Sequence, residues 1–335
     1  MCLRSGGGVP VMKEKYQWQS DISDMLISYL KEKRMTGFRF NQQEHYLKRF
    51  DEYYSRNGYS GSRLTKPMLN EFIYSAVERP SSYYLKERLM HDFALFLTKN
   101  GFHEVYVPEI KSAPQNQGTH VPYIFTEEEM AQIFHTIDSW KDSFYTNRSI
   151  IDPVFFRLLY GTGMRISEAL NLLISDFSPT EGILTIYHAK NNKDRIIPLS
   201  PSLTERIIEL KEKIHRYSND SAYLFTTKNN KRIDQSTMYR RFRDYLQNAG
   251  ISHTDAGPRV HDLRHNFAVK CLKGWVLSGE ELTNLLPYLA AYMGHSDFRG
   301  TQYYLRLTAD LYPNIINRVE ADFGYVIPLG GEFDE

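Results

Sequence analysis

Apolar positions recur at helical spacing in four stretches near the start of the chain. The first holds Ile22, Met25, Leu26, Tyr29 and Leu30, and the second Tyr46, Leu47, Phe50, Tyr53 and Tyr54. The third holds Leu69, Phe72, Ile73 and Ala76, and the fourth Leu85, Leu89, Phe93, Phe96 and Leu97. A stripe of this period gives a helix one apolar face to bury. Thr65, Lys66 and Pro67 form a helix-start signal ahead of the third stripe, and Asn100-Gly101 closes the fourth as a C-cap pair. Residues from about 20 to 105 thus predict a small four-helix domain.

The periodicity then stops. Between Pro108 and Pro122 the chain is rich in Pro, Gln, Asn and Gly and has no apolar period, which predicts a linker. It ends at Thr126, Glu127, Glu128 and Glu129, where Thr126 can cap a helix and Glu129 can reach back to it. The stripe Met130, Ile133, Phe134, Ile137 follows and opens a second domain. Val154, Phe155, Leu158 and Leu159 predict a helix stopped by Gly161 and Gly163, and Ser167 opens a short helix through Leu172. Residues 183–190 and 195–199 alternate like two strands around Asn191-Asn192. Helices follow at 203–217, 236–249 and 263–272, and residues 274–283 read as an inserted loop. The expected architecture is mostly α with two domains, the second α+β with one small antiparallel sheet. The expected divisions are a lead at 1–16, a helical domain at 17–107, a linker at 108–122, a second domain at 123–318 and a tail at 319–335.

Composition narrows the function. Cys2 and Cys271 are the only cysteines in 335 residues, too few for a disulfide framework or a cysteine-based zinc site. No apolar run is long enough to span a bilayer, and the N-terminus lacks the apolar region of a signal peptide, so a cytoplasmic location is expected. The net charge is +1, but it is unevenly spread. Residues 1–118 hold 17 Lys and Arg against 13 Asp and Glu, whereas residues 320–335 hold five acids and no base. A basic body with an acidic tail suits a protein that meets a polyanion on one face.

Arg165, Lys190, His261, Arg264, His265, His295 and the pair Tyr303-Tyr304 are the candidates for chemistry. Each alone has an ordinary explanation, as a surface ion pair, a solvated turn or packing. Together they are what a site needs to hold a phosphodiester and the extra charge of its transition state. Arg matches phosphate with a planar, permanently charged fork. A phenol with a pKa of about 10 is a poor nucleophile at neutral pH, and improves when a base takes its proton among cations. A Lys can then protonate a departing hydroxyl.

Four ordered boxes carry a resemblance. Gly161-Thr162-Gly163-Met164-Arg165-Ile166-Ser167-Glu168-Ala169-Leu170 resembles the first-arginine box of the tyrosine recombinases, or phage integrase family. Lys190-Asn191-Asn192-Lys193-Asp194-Arg195, running into Ile197-Pro198-Leu199, resembles the family's β-hairpin segment. His261-Asp262-Leu263-Arg264-His265 resembles its H-x-L-R-H box. Met293-Gly294-His295-Ser296, followed by Thr301 and Tyr304, resembles its G-H-S and T-x-x-Y boxes. The resemblance covers residues 17–320. It implies a SAM-like core-binding domain that clamps DNA, followed by a catalytic domain that cuts and rejoins strands through a 3′-phosphotyrosyl intermediate, without metal, ATP or other cofactor.

By the same resemblance Arg165 and Arg264 would clamp the scissile phosphate, His261 would accept or relay a proton, and His295 would donate a hydrogen bond to the phosphate. Lys190 would be the general acid, Glu168 would support the site, and Tyr304 would attack. Double-stranded recombination sites are the expected partner, with a tetramer on synapsed DNA, an accessory directionality protein and no membrane. The basic stretch Lys228, Lys231, Arg232, Arg240, Arg241 and Arg243 is expected to meet phosphates, with Phe242 and Leu246 packing inward. Lys31, Lys33, Arg34, Arg39, Arg63 and Lys66 are expected to do so in the first domain. The apolar run from Phe323 to Leu329 requires a surface to bury against, either in cis or on a neighbouring copy. Integration and excision of a mobile element is the favoured outcome. Topoisomerase-like relaxation and a catalytically silent DNA-binding protein are the rivals, together with a zinc hydrolase on His261 and His265, which lacks a third ligand.

Overall fold

The computed structural model describes residues 16–37, 40–61, 63–74, 78, 80–112, 121–142, 146–187, 194–254, 257–294 and 304. Two compact units divide between Thr119 and His120. No described helix is long and apolar enough to cross a membrane.

The first unit contains α1 (Ser23–Met35), α2 (Asn41–Arg56), α3 (Lys66–Tyr74) and α4 (Pro80–Lys99). Their stripes meet in one core, where Leu26, Tyr29, Leu47, Phe50, Tyr54, Leu69, Ile73, Phe93 and Leu97 are fully buried. Aromatic edges fill it, with the Phe50 and Phe72 rings 4.9 Å apart and Tyr29 and Phe93 5.4 Å apart. Asp51, buried in α2, gathers the chain ahead of α1 by accepting from Tyr16 Oη (2.8 Å) and from the backbone N–H groups of Gln19 (2.8 Å) and Ser20 (3.0 Å). After α4 the chain stays pinned beyond Pro108. His91 Nδ1 lies 2.8 Å from the Pro108 carbonyl, and Glu87 accepts from the N–H groups of Lys111 (3.1 Å) and Ser112 (2.8 Å). Polar, aperiodic sequence is therefore held in place here by side chains that α4 presents.

The second unit opens on α5 (Glu127–Asp138), whose capping box is complete. Thr126 Oγ1 accepts from the Glu129 N–H at 3.1 Å, and the Glu129 carboxylate accepts from the Thr126 N–H at 2.9 Å. Then come α6 (Arg148–Thr162), α7 (Ile166–Asn171), β1 (Phe177–Ser178), β2 (Ile183–Ile186), β3 (Arg195–Pro198), α8 (Pro201–Ile214), α9 (Gln235–Asn248), α10 (Asp262–Ser278) and α11 (Leu282–Met293). The sheet is antiparallel in the order β1-β2-β3, with Phe177 opposite Leu184 and Ile186 opposite Arg195. Leu184 and Ile197 face the main core with Phe155, Leu158, Ala169, Leu170 and Ile207.

The expected small antiparallel sheet is present; one expectation is added to and another corrected. A third strand, β1, joins the predicted pair; two residues are too few to carry a periodic signal. Residues 274–283 are also not an inserted loop. They finish α10, turn through Gly279 (φ +78°) and start α11. Leu272, Val276, Leu282, Leu286, Leu289 and Met293 bury against one another across that turn, so the apolar pattern belongs to a helical hairpin.

Candidate active site

Two helices end in left-handed glycines that face the same place. α6 closes on Gly163 (φ +61°) and α11 on Gly294 (φ +67°). The last carbonyls of a helix lack partners inside it and carry its negative dipole end. Arg264, on the first turn of α10, answers both helices: Nη1 donates to the Gly163 carbonyl at 2.8 Å and Nη2 to the Met293 carbonyl at 2.6 Å. Arg165, between α6 and α7, donates from Nη2 to the Gly294 carbonyl at 3.1 Å. The left-handed φ favours glycine at both ends, and space is tight as well, most severely at Gly163. A Cβ at Gly163 would stand 2.4 Å from Phe267 Cδ1, and one at Gly294 3.0 Å from Arg195 Nη1.

Glu168, buried on α7, ties the arginines together. Its Oε1 accepts from Arg165 Nη1 (2.9 Å) and Arg195 Nη1 (3.0 Å), and its Oε2 from Arg195 Nη2 (2.6 Å) and the Arg165 N–H (2.8 Å). Burial would raise its pKa, but hydrogen bonds and charge from Arg195, and then from Arg165, hold it below the ordinary carboxylate value. Two guanidiniums thus hold one carboxylate and leave one net positive charge, to which the nearby Arg264 adds its own. Burial also lowers the Arg264 pKa, to about 10, with the Arg165 and Arg195 charges acting the same way and Tyr304 and Glu168 opposing them. Arg264 remains protonated at neutral pH.

Tyr304 is 3% exposed and packs with Leu272, Leu289 and Met293. Burial raises its pKa, against the charge and hydrogen bonding of Arg264 and the charge of Arg165. The phenol is protonated at neutral pH, with its oxygen hydrogen-bonded by Arg264 and within range of the Arg165 charge. Its ring lies 5.4 Å from that of His265, which meets the exposed His261 edge-on at 4.8 Å.

Sequence reasoning named Arg165, Glu168, His261, Arg264 and Tyr304, and the fold gathers them. Lys190 and His295 lie outside the described residues, as do Tyr303 and the tail. It gave no role to Arg195, although that residue stood in a quoted box, and it named His265 only as a general candidate for chemistry and as a ligand of the zinc-hydrolase rival. Their importance comes from partners remote in sequence: Glu168 for Arg195 and Tyr304 for His265. Among the described residues no three His, Cys, Asp or Glu side chains gather as a metal ion would need.

The basic stretch divides. Lys228, Lys231, Arg240 and Arg243 are exposed, and Arg232 is half-buried with Nε donating to Asn171 Oδ1 at 2.7 Å. Arg241 is a correction. It is buried and donates to Asp152 Oδ1 at 2.7 Å, in a network where Tyr245 Oη donates to Asp152 Oδ2 at 2.6 Å and Arg148 Nε to Tyr245 Oη at 2.6 Å. Helical phase puts 241 beside Phe242 and Tyr245 on the inner face of α9, and the buried Asp152 requires the cation there. In the first unit Lys31, Arg63 and Lys66 are exposed, Lys33 is half-buried, Arg34 pairs with Glu44 at 2.5 Å, and Arg39 lies outside the described residues.

Comparison with known proteins agrees with this geometry. The tyrosine recombinase XerA of Pyrococcus furiosus is 32% identical over 201 residues, which cover 59% of this chain and 62% of that protein, so the chain spans about three fifths of this relative. The tyrosine recombinase XerC of Lactobacillus delbrueckii subsp. bulgaricus is 24% identical over 298 residues, 86% of this chain and 94% of that one. Among solved structures, XerH recombinase bound to its difH substrate before cleavage shares the fold, at a TM-score of 0.58 and 22% identity over 84% of this chain and 81% of that one. So does a lambda integrase tetramer bound to a Holliday junction, at a TM-score of 0.58 and 16% identity over 85% and 78% of the two chains. A profile of the phage integrase family matches residues 124–310, more than half of the chain and all of the described site, and the protein belongs to that family, the tyrosine recombinases.

Proposed function

We propose that the protein is a site-specific DNA recombinase that cuts and rejoins strands through a covalent 3′-phosphotyrosyl link at Tyr304. The observation that carries this reading is the buried Tyr304 phenol, hydrogen-bonded to Arg264 and within range of the Arg165 charge. Those cations are where a phosphate would gain most from fixed donors. In the proposed step the Tyr304 oxygen attacks phosphorus while its proton leaves toward the His265–His261 pair. The P–O5′ bond breaks, and Lys190 protonates the departing 5′-oxygen. Arg165, Arg264 and His295 hold the non-bridging oxygens. Phosphodiester energy is kept in the tyrosyl link, so a 5′-hydroxyl from a partner duplex reverses the step and reseals the strand without ATP.

Lys228, Lys231, Arg240 and Arg243 would position the duplex by its phosphates, and four copies would act on two paired sites in the cytoplasm, for integration or excision of a mobile element. The test is a nicked suicide duplex carrying the flanks of the gene's own element, run on a denaturing gel with wild type, Tyr304→Phe and Tyr303→Phe. A covalent band that persists in Tyr303→Phe and vanishes in Tyr304→Phe is expected. A band lost only in Tyr303→Phe would move the nucleophile by one residue. Binding without any band would favour a silent DNA-binding protein.

A further inference from the structure

Arg195 is at least as well placed on Glu168 as the catalytic candidate Arg165 is. It takes both carboxylate oxygens in a fork at 2.6 and 3.0 Å, whereas the Arg165 side chain reaches Oε1 alone, at 2.9 Å. Its Nε is buried and has no hydrogen-bond partner among the described residues, so Arg195 is committed to this one carboxylate. Arg165, by contrast, spends one side-chain donor on Glu168 and one on the Gly294 carbonyl, and among the described residues nothing takes the rest of its five donors, which a ligand could then engage. Charge follows the same division. A lone Glu168 beside Arg165 would cancel it; with Arg195 present the cluster keeps one net positive charge, and Arg165 is the more exposed of the two cations, at 21% against 10%.

We propose that Arg195 is a positioning residue that neutralises Glu168 and so keeps the charge and the free donors of Arg165 available to a phosphate. The strand pairing makes this possible: Arg195 opens β3 opposite Ile186, and its reach across to α7 docks the hairpin on the first-arginine turn. The packing at Gly294 supports it as well, since a Cβ there would meet both guanidiniums, Arg195 at Nη1 (3.0 Å) and Cζ (3.3 Å) and Arg165 at Nη1 (3.4 Å). The proposal rests on the recombinase reading only for the identity of the phosphate.

The test therefore has an arm that needs no DNA. Thermal unfolding of the full chain is followed in inorganic phosphate and in sodium chloride of equal ionic strength, and the phosphate-specific rise is taken relative to Arg165→Gln, which should show none. Wild type should show the rise, Arg195→Gln should lose it, and Arg195→Gln/Glu168→Gln should regain it, because removing the carboxylate removes the need for its neutraliser. A merely structural role for Arg195 predicts no regain. A wild type without the rise, an Arg195→Gln protein that keeps it, or a double variant that stays silent would each overturn the proposal. If Arg195→Gln fails to fold, Arg195→Lys keeps the charge and should keep the rise; its loss there would count as decisively against the proposal. On the suicide duplex the same variants should give covalent complex about tenfold more slowly for Arg195→Gln, with recovery in the double variant. Phosphate behaviour as expected with no covalent complex from wild type would sink the recombinase reading and leave the role of Arg195 standing.

Discussion

The Arg264 guanidinium donates to the Met293 carbonyl at 2.6 Å, which ties the first turn of α10 to the last carbonyl of α11. Two helices that run consecutively in the chain are thus closed on each other at the site, and a second bond from Arg264 to Gly163 adds the end of α6. Arg264→Lys keeps a charge but cannot reach two carbonyls with a planar fork. It should lower the rate of covalent-complex formation by about a hundredfold, a scale set by loss of a preorganised donor. Single-turnover cleavage beside unchanged duplex affinity would show this.

Gly294→Ala should cripple the same step by another route. The substitution meets a left-handed φ of +67° and places a Cβ 3.0 Å from Arg195 Nη1 and 3.4 Å from Arg165 Nη1. Backbone strain alone should cost about 1 kcal/mol of stability. The larger effect should be on cleavage, because the shifted atoms belong to the guanidiniums around Glu168. A fall in cleavage rate no greater than the stability loss implies would show that the arginines adjust freely.

Arg241→Ala and Arg243→Ala should separate structure from DNA contact on one helix. Removing Arg241 strips a partner from Asp152, which is fully buried, and should destabilise the fold by about 3–5 kcal/mol. Arg243 is exposed, and its loss should leave the unfolding midpoint unchanged while weakening duplex binding and lowering the salt slope by about one. Denaturant melts and salt-dependent binding of both variants distinguish the two roles.

Acid should weaken the site through Glu168. Its folded pKa lies below the ordinary value of 4.5, so its contribution to stability is complete above that value and is lost as pH falls through the lowered folded pKa. Glu168→Gln should therefore flatten part of the decline in stability below pH 4.5. Parallel acid titrations of the two proteins in moderate urea would check it, and identical acid limbs would refute it.

Much of the fold was legible because its elements are local. The four stripes of the first unit and the Thr126 capping box need only neighbours within a turn or two, and the structure has them where periodicity put them, apart from Ala76, which lies outside the described residues. The turn at 279–281 was hidden because an apolar helical hairpin and an inserted loop differ only in what each stripe packs against. Arg241 was misjudged for a related reason. Three arginines within four residues look alike in sequence, and which of them turns inward is settled by the phase of α9 and by Asp152, 89 positions away.

The sequence by itself determined the family, through boxes whose residue types and order are specific, and with it Arg165, Glu168, His261, Arg264 and Tyr304 as candidates. What only tertiary structure decided is how these residues share charge. Glu168 lies 27 positions from Arg195, and Arg264 lies 101 from Gly163. No local pattern encodes such pairs, because they form only when the ends of α6 and α11 and the start of β3 converge on α7. Burial there makes every guanidinium find an acceptor or a ligand, and that requirement, a property of the folded interior, separates the arginine that holds the carboxylate from the one left open to an anion.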